Sequence, residues 1–317
     1  MTRPLRPTLS LHLLNFAPEG HDGDWDHLFR LARAADAAGI DRVNVFDHVA
    51  FGEALDDYSR PEKGGRVDGR QPTGPDGHWP DPLVILSMVA AQTSRVRLGT
   101  QILQAALRRP ATLAKTTATI DALSKGRLDL GVGVGWQAAE YQAAGLAFER
   151  RGTLLNHTLE VCQTLWAEQR ASYASPELAF DNIHQMPKPV QLGGIPLWIA
   201  GTIRDTTVHR LLRFGMRWIA WGKDEDMAVS LPMMKDAIEK AGGDPAALKA
   251  SAPLPAVRTT DGKIDIARTM EALSPRLAAG QTDFSFVFLE EGDERFQTER
   301  LSEIVKAFRE ATSRAIV

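Results

Sequence analysis

The chain has 317 residues, 44% of them hydrophobic, and 37 Lys and Arg against 40 Asp and Glu leave a formal charge of −3. This is enough for one large domain or two ordinary ones, with no basic stripe for nucleic acid and no strongly charged balance pointing to such a partner. No run approaches the ~20 apolar residues of a membrane span, and MTRPLRPTLS lacks the apolar centre of a signal segment. The single cysteine, Cys162, shares an apolar helical stripe with Leu159, Leu165 and Trp166. It reads as a buried structural thiol, and a chain without disulfides fits a reducing cytoplasm.

Strand-like and helix-like segments alternate from end to end. A strand at 8–14 precedes an amphipathic helix at 24–38, which Gly39 stops, and a second strand follows at 42–46. The Gly-, Pro- and charge-rich stretch 47–80 is too long for a simple connector and is expected to form a lid, with Tyr58 and Trp79 as aromatic walls, a solvated surface loop being the alternative. A helix from Asp81-Pro82 to Gln92, a strand at 96–103, a helix at 110–124 and a strand at 127–134 come next. Helices near 137–145 and 152–168 lead to an irregular stretch, 171–194. Then come a strand at 196–200, a helix at 204–214, a strand at 217–221 and a helix at 225–241. A weak strand at 249–257 contains Pro253 and Pro255, poor central-strand residues. A helix at 264–278, a strand at 283–289 and a helix at 297–312 finish the series. Eight βα units in this length predict a closed (β/α)8 barrel, one domain over 1–317 with insertions after strands two and four. An open doubly wound sheet is the alternative.

Such a barrel works at the C-terminal ends of its strands. The candidates there are Asn15, Asp47-His48, Gln101, Gln104, Gly135-Trp136 and Gly201-Thr202. Histidine handles protons near neutral pH and an acidic neighbour can orient the ring or a ligand, although a solvated loop pair would look the same. AGTIRDTT (200–207) is a strand–turn–helix junction whose amides, with Arg204, could hold an anion; a helix capped by Thr202 or Asp205 reads equally well. The glycines of GRLDLGVGVGW (126–136) do not make a dinucleotide fingerprint, because Trp136 stands where the third glycine belongs. The histidines are scattered, with no metal-ligand spacing, and there is no GxSxG elbow.

The run LSKGRLDLGVGVGWQAAEYQAAGLAFERRG (123–152), with VFDHV (45–49), TSRVRLGTQIL and RRPATLAKTTATIDALS (93–124) and PLWIAGT (196–202), resembles the bacterial luciferase-like flavin and deazaflavin oxidoreductases, especially their F420-dependent branch. The resemblance implies a (β/α)8 barrel whose mouth holds coenzyme F420 or, alternatively, FMN. His48 would be the proton-handling catalytic residue and Asp47 a cofactor contact. Gln101 and Ile102, joined by a non-prolyl cis bond, would back the ring. Val134 and Gly135 would touch the cofactor, the fourth-strand glycines allowing close approach, with Glu140 near its polar tail or the mouth. Gly201, Thr202, Ile203 and Arg204 would hold the phosphate. Asn15, Trp79 and Trp136 would face a small organic substrate in a cytoplasmic homodimer. Trp136 replaces a catalytic glutamate of some deazaflavin members, which argues against a sugar phosphate. Met216-Arg217 replaces an acidic turn found in many relatives. An FMN-dependent two-component monooxygenase, a non-catalytic flavin-binding barrel, and a phosphate-binding lyase or isomerase are the other readings.

Overall fold

A computed structural model describes residues 6–314. In chain order the elements are β1 (Thr8–His12), α1 (Asp26–Ala38), β2 (Arg42–Val45), α2 (Pro82–Gln92), β3 (Arg97–Thr100), α3 (Pro110–Leu123), β4 (Leu128–Val132), α4 (Ala138–Ala143), α5 (Arg151–Ala167), β5 (Ala171–Ala174), β6 (Ala179–Ile183), β7 (Leu197–Gly201), α6 (Asp205–Phe214), β8 (Arg217–Ala220), α7 (Met227–Lys240), β9 (Lys249–Pro253), α8 (Ile266–Glu271), α9 (Ser274–Ala279), β10 (Asp283–Val287) and α10 (Glu294–Arg314). Eight strands close a parallel barrel in the order β1-β10-β9-β8-β7-β4-β3-β2. The predicted (β/α)8 architecture is therefore the observed one.

Local chemistry explains the boundaries. Gly39 ends α1 in the left-handed region (φ 86°), where its N–H donates to Ala35 O. Asp81 caps α2 by accepting from the Leu83 and Val84 amides, and Pro82 fills the first turn. Strands β2 (RVNV) and β4 (LDLGV) are buried along their whole length although polar or small residues alternate with the apolar ones. Leu9, Leu11, Val43, Val45, Leu98, Leu130 and Ile199 belong to the core. At the strand starts Arg42, 7% exposed, pairs with Asp283 (2.7 Å) and lies over the Trp198 ring (4.6 Å).

Three expectations change. The stretch 171–194 contains the antiparallel β5–β6 hairpin outside the barrel. Its residues are largely exposed, so no hydrophobic period announces it. Pro253 is the last residue of β9 and Pro255 lies beyond, so neither interrupts the ladder centrally. The helix expected at 264–278 is two short ones, with Pro275 in the first turn of the second. No helix among the described residues is long and apolar enough to cross a membrane.

Candidate active site

The site is built where β2, β3 and β4 end. His48 follows β2 and has a side chain 10% exposed, its Nδ1 3.2 Å from Glu140 Oε2. Glu140, on α4 and fully buried, also accepts from the Val49 amide (2.8 Å) and from Gln104 Nε2 at both oxygens (3.0 and 2.9 Å). A carboxylate only accepts, so a neutral His48 ring paired with it carries its hydrogen on Nδ1 and leaves Nε2 as an acceptor. Nε2 lies 3.5 Å from Gln71 Nε2 in the 47–80 insertion. The Gly52 amide donates to Gln137 Oε1 (2.9 Å), which docks the segment after His48 onto the start of α4.

Aromatic rings surround this imidazole. Phe51 (4.4 Å), Trp79 (4.8 Å) and Trp136 (6.0 Å) face it, Phe16 stacks on Trp79 (4.7 Å), and Tyr58 packs on Trp136 (5.3 Å). The insertion thus supplies Tyr58 and Trp79 as walls. It also covers the end of β4. Trp221 Nε1 donates to Gly64 O (3.2 Å) and Gly65 O (3.3 Å). Gly64, with φ at 103°, approaches so closely that a Cβ would sit 3.0 Å from Gly135 O.

Several expected roles are corrected by this geometry. Asp47 has a fully covered side chain, bound bidentately by Arg108 (2.7 and 2.9 Å) and by the Gln104 amide (2.8 Å). Burial works against the Arg108 charge, but Asp47 and Asp81 outweigh it and hold its pKa above the ordinary arginine value. In this arrangement Asp47 shapes the site instead of touching a cofactor. Asn15 is wholly buried: its amide donates to Phe46 O (2.9 Å) and Pro80 O (3.2 Å), and its oxygen accepts from Phe46 N (2.7 Å). No surface of it remains for substrate. Arg108, which also binds Asp81 (2.8 Å), and Asn15 together pin both ends of the insertion.

The β4 glycines have a different use from the one expected. A Cβ at Gly131 would collide with the Thr100 carbonyl, and one at Gly135 (φ 70°) with the Gln104 side-chain oxygen Oε1. One at Gly133 would lie 3.0 Å from Ile102 Cδ1. Protein fills those spaces, so at these positions the missing Cβ lets neighbouring chain come close. Glu140 is likewise a buried partner of His48 and not a residue of the mouth.

The remaining candidates occupy the strand ends as follows. The Gln101–Ile102 bond is cis, as the resemblance implies. Gln101 Oε1 accepts from Asn44 Nδ2 (3.2 Å), and Val134 O accepts from the Tyr141 hydroxyl (2.6 Å). Trp136 is 5% exposed; its Nε1 and Gln104 Oε1 are buried without a partner among the described residues. At the β7–α6 junction, Gly201 and Thr202 are half-buried and Arg204 is exposed. The Ile203 amide is taken by Asp224 Oδ2 (2.7 Å). Arg108, Gln71 and Asp224 had no place among the expected site residues. Gln104 was expected only as a candidate at a strand end, with no role assigned to it.

The luciferase-like monooxygenase family model matches residues 9–264. The chain belongs to that family. Within it, the chain is 34% identical over 177 residues to an F420-dependent glucose-6-phosphate dehydrogenase of Kineococcus radiotolerans, covering 53% of this chain and 50% of that one. It spans only about half the length of the curated relatives it matches first. Among solved structures, an F420-dependent secondary alcohol dehydrogenase in complex with an F420–acetone adduct superposes with TM-score 0.71 at 15% identity, over 96% of this chain and 99% of that one. A type II Baeyer–Villiger monooxygenase component from the CAM plasmid of Pseudomonas putida, in complex with FMN, gives 0.71 at 13%, over 96% and 98%. At such identities these two likenesses speak for the luciferase-like barrel alone.

Proposed function

We propose that this chain is an F420-dependent oxidoreductase that passes a hydride between the deazaflavin and a small organic substrate. The observation that carries the reading is the His48–Glu140 pair: a half-buried imidazole, held at Nδ1, with an acceptor nitrogen among aromatic walls at a strand end. Bound F420 would supply or accept the hydride. His48 would give or take the accompanying proton at Nε2, and Glu140 would fix the tautomer that makes this possible. Asp47 and Gln104 hold the backbone and side chains that place both. Gln101, Ile102 and Val134 would flank the cofactor's ring. Thr202 and Arg204 would meet the phosphate.

F420-dependent sequence relatives favour this cofactor over FMN and two-component monooxygenase chemistry. Trp136, bulky and buried, in place of an acid after the last β4 glycine favours a substrate other than a sugar phosphate. The test is a titration of purified protein with F420 and FMN, followed by single-turnover kinetics. F420 should bind more tightly, and His48→Ala should bind it normally while losing roughly 100-fold of rate, the scale of a lost acid–base group. Exclusive binding of FMN, or a fully active His48→Ala protein, would overturn the reading.

A further inference from the structure

We propose that Gln71, carried by the insertion, is a specificity-determining residue: it donates a hydrogen bond to the same substrate oxygen that exchanges a proton with His48. The inference rests on the catalytic reading above and deepens it. Gln71 Nε2 stands 3.5 Å from His48 Nε2, outside the roughly 2.7–3.2 Å of a good hydrogen bond. Among the described residues, neither the Gln71 side chain nor His48 Nε2 has another polar partner. A donor and an acceptor thus face each other across a gap slightly too wide for direct pairing. An oxygen about 2.8 Å from His48 Nε2 can also lie within hydrogen-bond reach of the Gln71 amide.

The chain fixes Gln71 from both sides. Before it, the Gly69 amide donates to Arg66 O (2.9 Å) and the Arg66 amide to Tyr58 O (2.9 Å). After it, the buried Thr73 accepts from Trp79 Nε1 (2.9 Å), and Trp79 is the ring that meets His48 edge-on. Paired backbone bonds between His78 and Ala17 (2.9 and 3.0 Å) tie down the returning limb.

The pair selects its guest by hydrogen-bond chemistry. His48 Nε2 accepts and the Gln71 NH2 group donates, so the bridging atom must offer both a hydrogen and a lone pair. A hydroxyl does; an ammonium has no lone pair, and a carbon acid cannot accept from Gln71. The charges nearby are already engaged, Glu140 at His48 Nδ1 and Asp47 with Arg108. A neutral oxygen on an apolar body, walled by Phe51, Trp79 and Trp136, is the group that fits. As its proton moves to His48, charge grows on that oxygen and the Gln71 donor faces it. Analogues without the oxygen leave the donor unpaired and are rejected.

Nitrogen-15 NMR of the His48 ring, with cyclohexanol titrated into cofactor-free protein, tests this. Nε2 reads the bound hydroxyl, and Nδ1 shows whether the Glu140 pair is intact. In wild type Nε2 should move saturably while Nδ1 stays. Gln71→Met keeps the bulk without the donor and should need roughly tenfold more cyclohexanol, the scale of one hydrogen bond. Gln71→Glu turns a carboxylate on the same lone pairs and should bind more weakly still. Equal affinity in wild type and the Met variant would make Gln71 a mere wall and overturn the proposal. A Glu variant that binds as well as wild type, or a wild-type Nε2 that cyclohexanol does not move, overturns it too. Titration with F420 and single-turnover oxidation of cyclohexanol keep the two readings apart. Hydride transfer to F420 without Gln71-dependent binding leaves the cofactor reading standing; Gln71-dependent binding by a protein that takes no F420 overturns the cofactor reading and leaves the role of Gln71.

Discussion

Glu140 Oε2 and His48 Nδ1 meet at 3.2 Å although 92 positions separate them in the chain. Glu140 therefore acts through His48, by fixing which ring nitrogen is free. Glu140→Gln replaces one accepting oxygen with an NH2 group that faces other donors, so His48 loses its tautomer preference. Turnover should fall on the order of 10- to 100-fold, the scale for a lost partner that orients an imidazole, with cofactor affinity retained. Nitrogen-15 NMR of the His48 ring should show Nδ1–H in wild type and a mixture in the variant. An unaltered tautomer would refute the positioning role.

Asp47→Ala tests stability instead of binding. Removing it leaves the Arg108 charge half-satisfied, by Asp81 alone, and the Gln104 amide bare. Breaking a buried pair from one side costs about 3 kcal/mol at the low end, which applies here because Arg108 keeps 16% side-chain exposure. Urea unfolding measures it; a loss below ~1 kcal/mol would show the pair to be incidental.

His12 gives the fold an acid limit. Burial lowers its pKa from 6.5 to about 4, with Asp283 opposing and Arg42 reinforcing. The folded value lies below the unfolded one, so the contribution is complete above pH 6.5 and is lost as pH falls toward 4. The difference corresponds to roughly 3 kcal/mol. His12→Phe should preserve stacking on Phe46, now 5.0 Å between centroids, and flatten this limb. Denaturation at pH 7, 5.5 and 4.5 should show wild type losing more than the variant; parallel losses would discard the assignment.

The cover over β4 can be loosened selectively. Gly64→Val forces a branched side chain into a left-handed conformation beside Gly135 O, and the Trp221 bonds to Gly64 and Gly65 should break. Deuterium uptake over residues 55–66 should rise sharply while the barrel strands stay protected. Equal protection in both proteins would mean the segment is held by other contacts.

Cys162 should be inert. Burial pushes its thiol well above the ordinary cysteine range, and its Sγ faces only Pro110 O at 3.6 Å. A thiol reagent should label it in urea and leave it untouched in buffer.

The eight βα units were legible because strands and helices are written locally, in short segments with apolar residues at alternate positions, in Gly39 and in Asp81-Pro82. His48 was legible as a titratable group at a strand end. Its partners were not: Glu140 and Gln71 reach it from other elements, and nothing in the spacing says which carboxylate turns inward. Asp47 looked like a ligand because the sequence shows an acid beside a histidine, whereas Arg108 claims it 61 positions later. The β4 glycines showed that something approaches closely, but only the barrel's closure reveals that it is Thr100 and Gln104.

The pinned neck of the insertion carries a consequence for how such a barrel diversifies. Arg108 joins Asp47 to Asp81, and Asn15 joins Phe46 to Pro80, so the chain leaves and re-enters the barrel at one fixed point. Beyond that point, doubling the length of the excursion adds only about 0.6 kcal/mol of closure entropy. The tip can therefore be exchanged for one of another size and chemistry while the imidazole keeps its place. New substrates would come by replacing a cap, with the catalytic floor inherited intact.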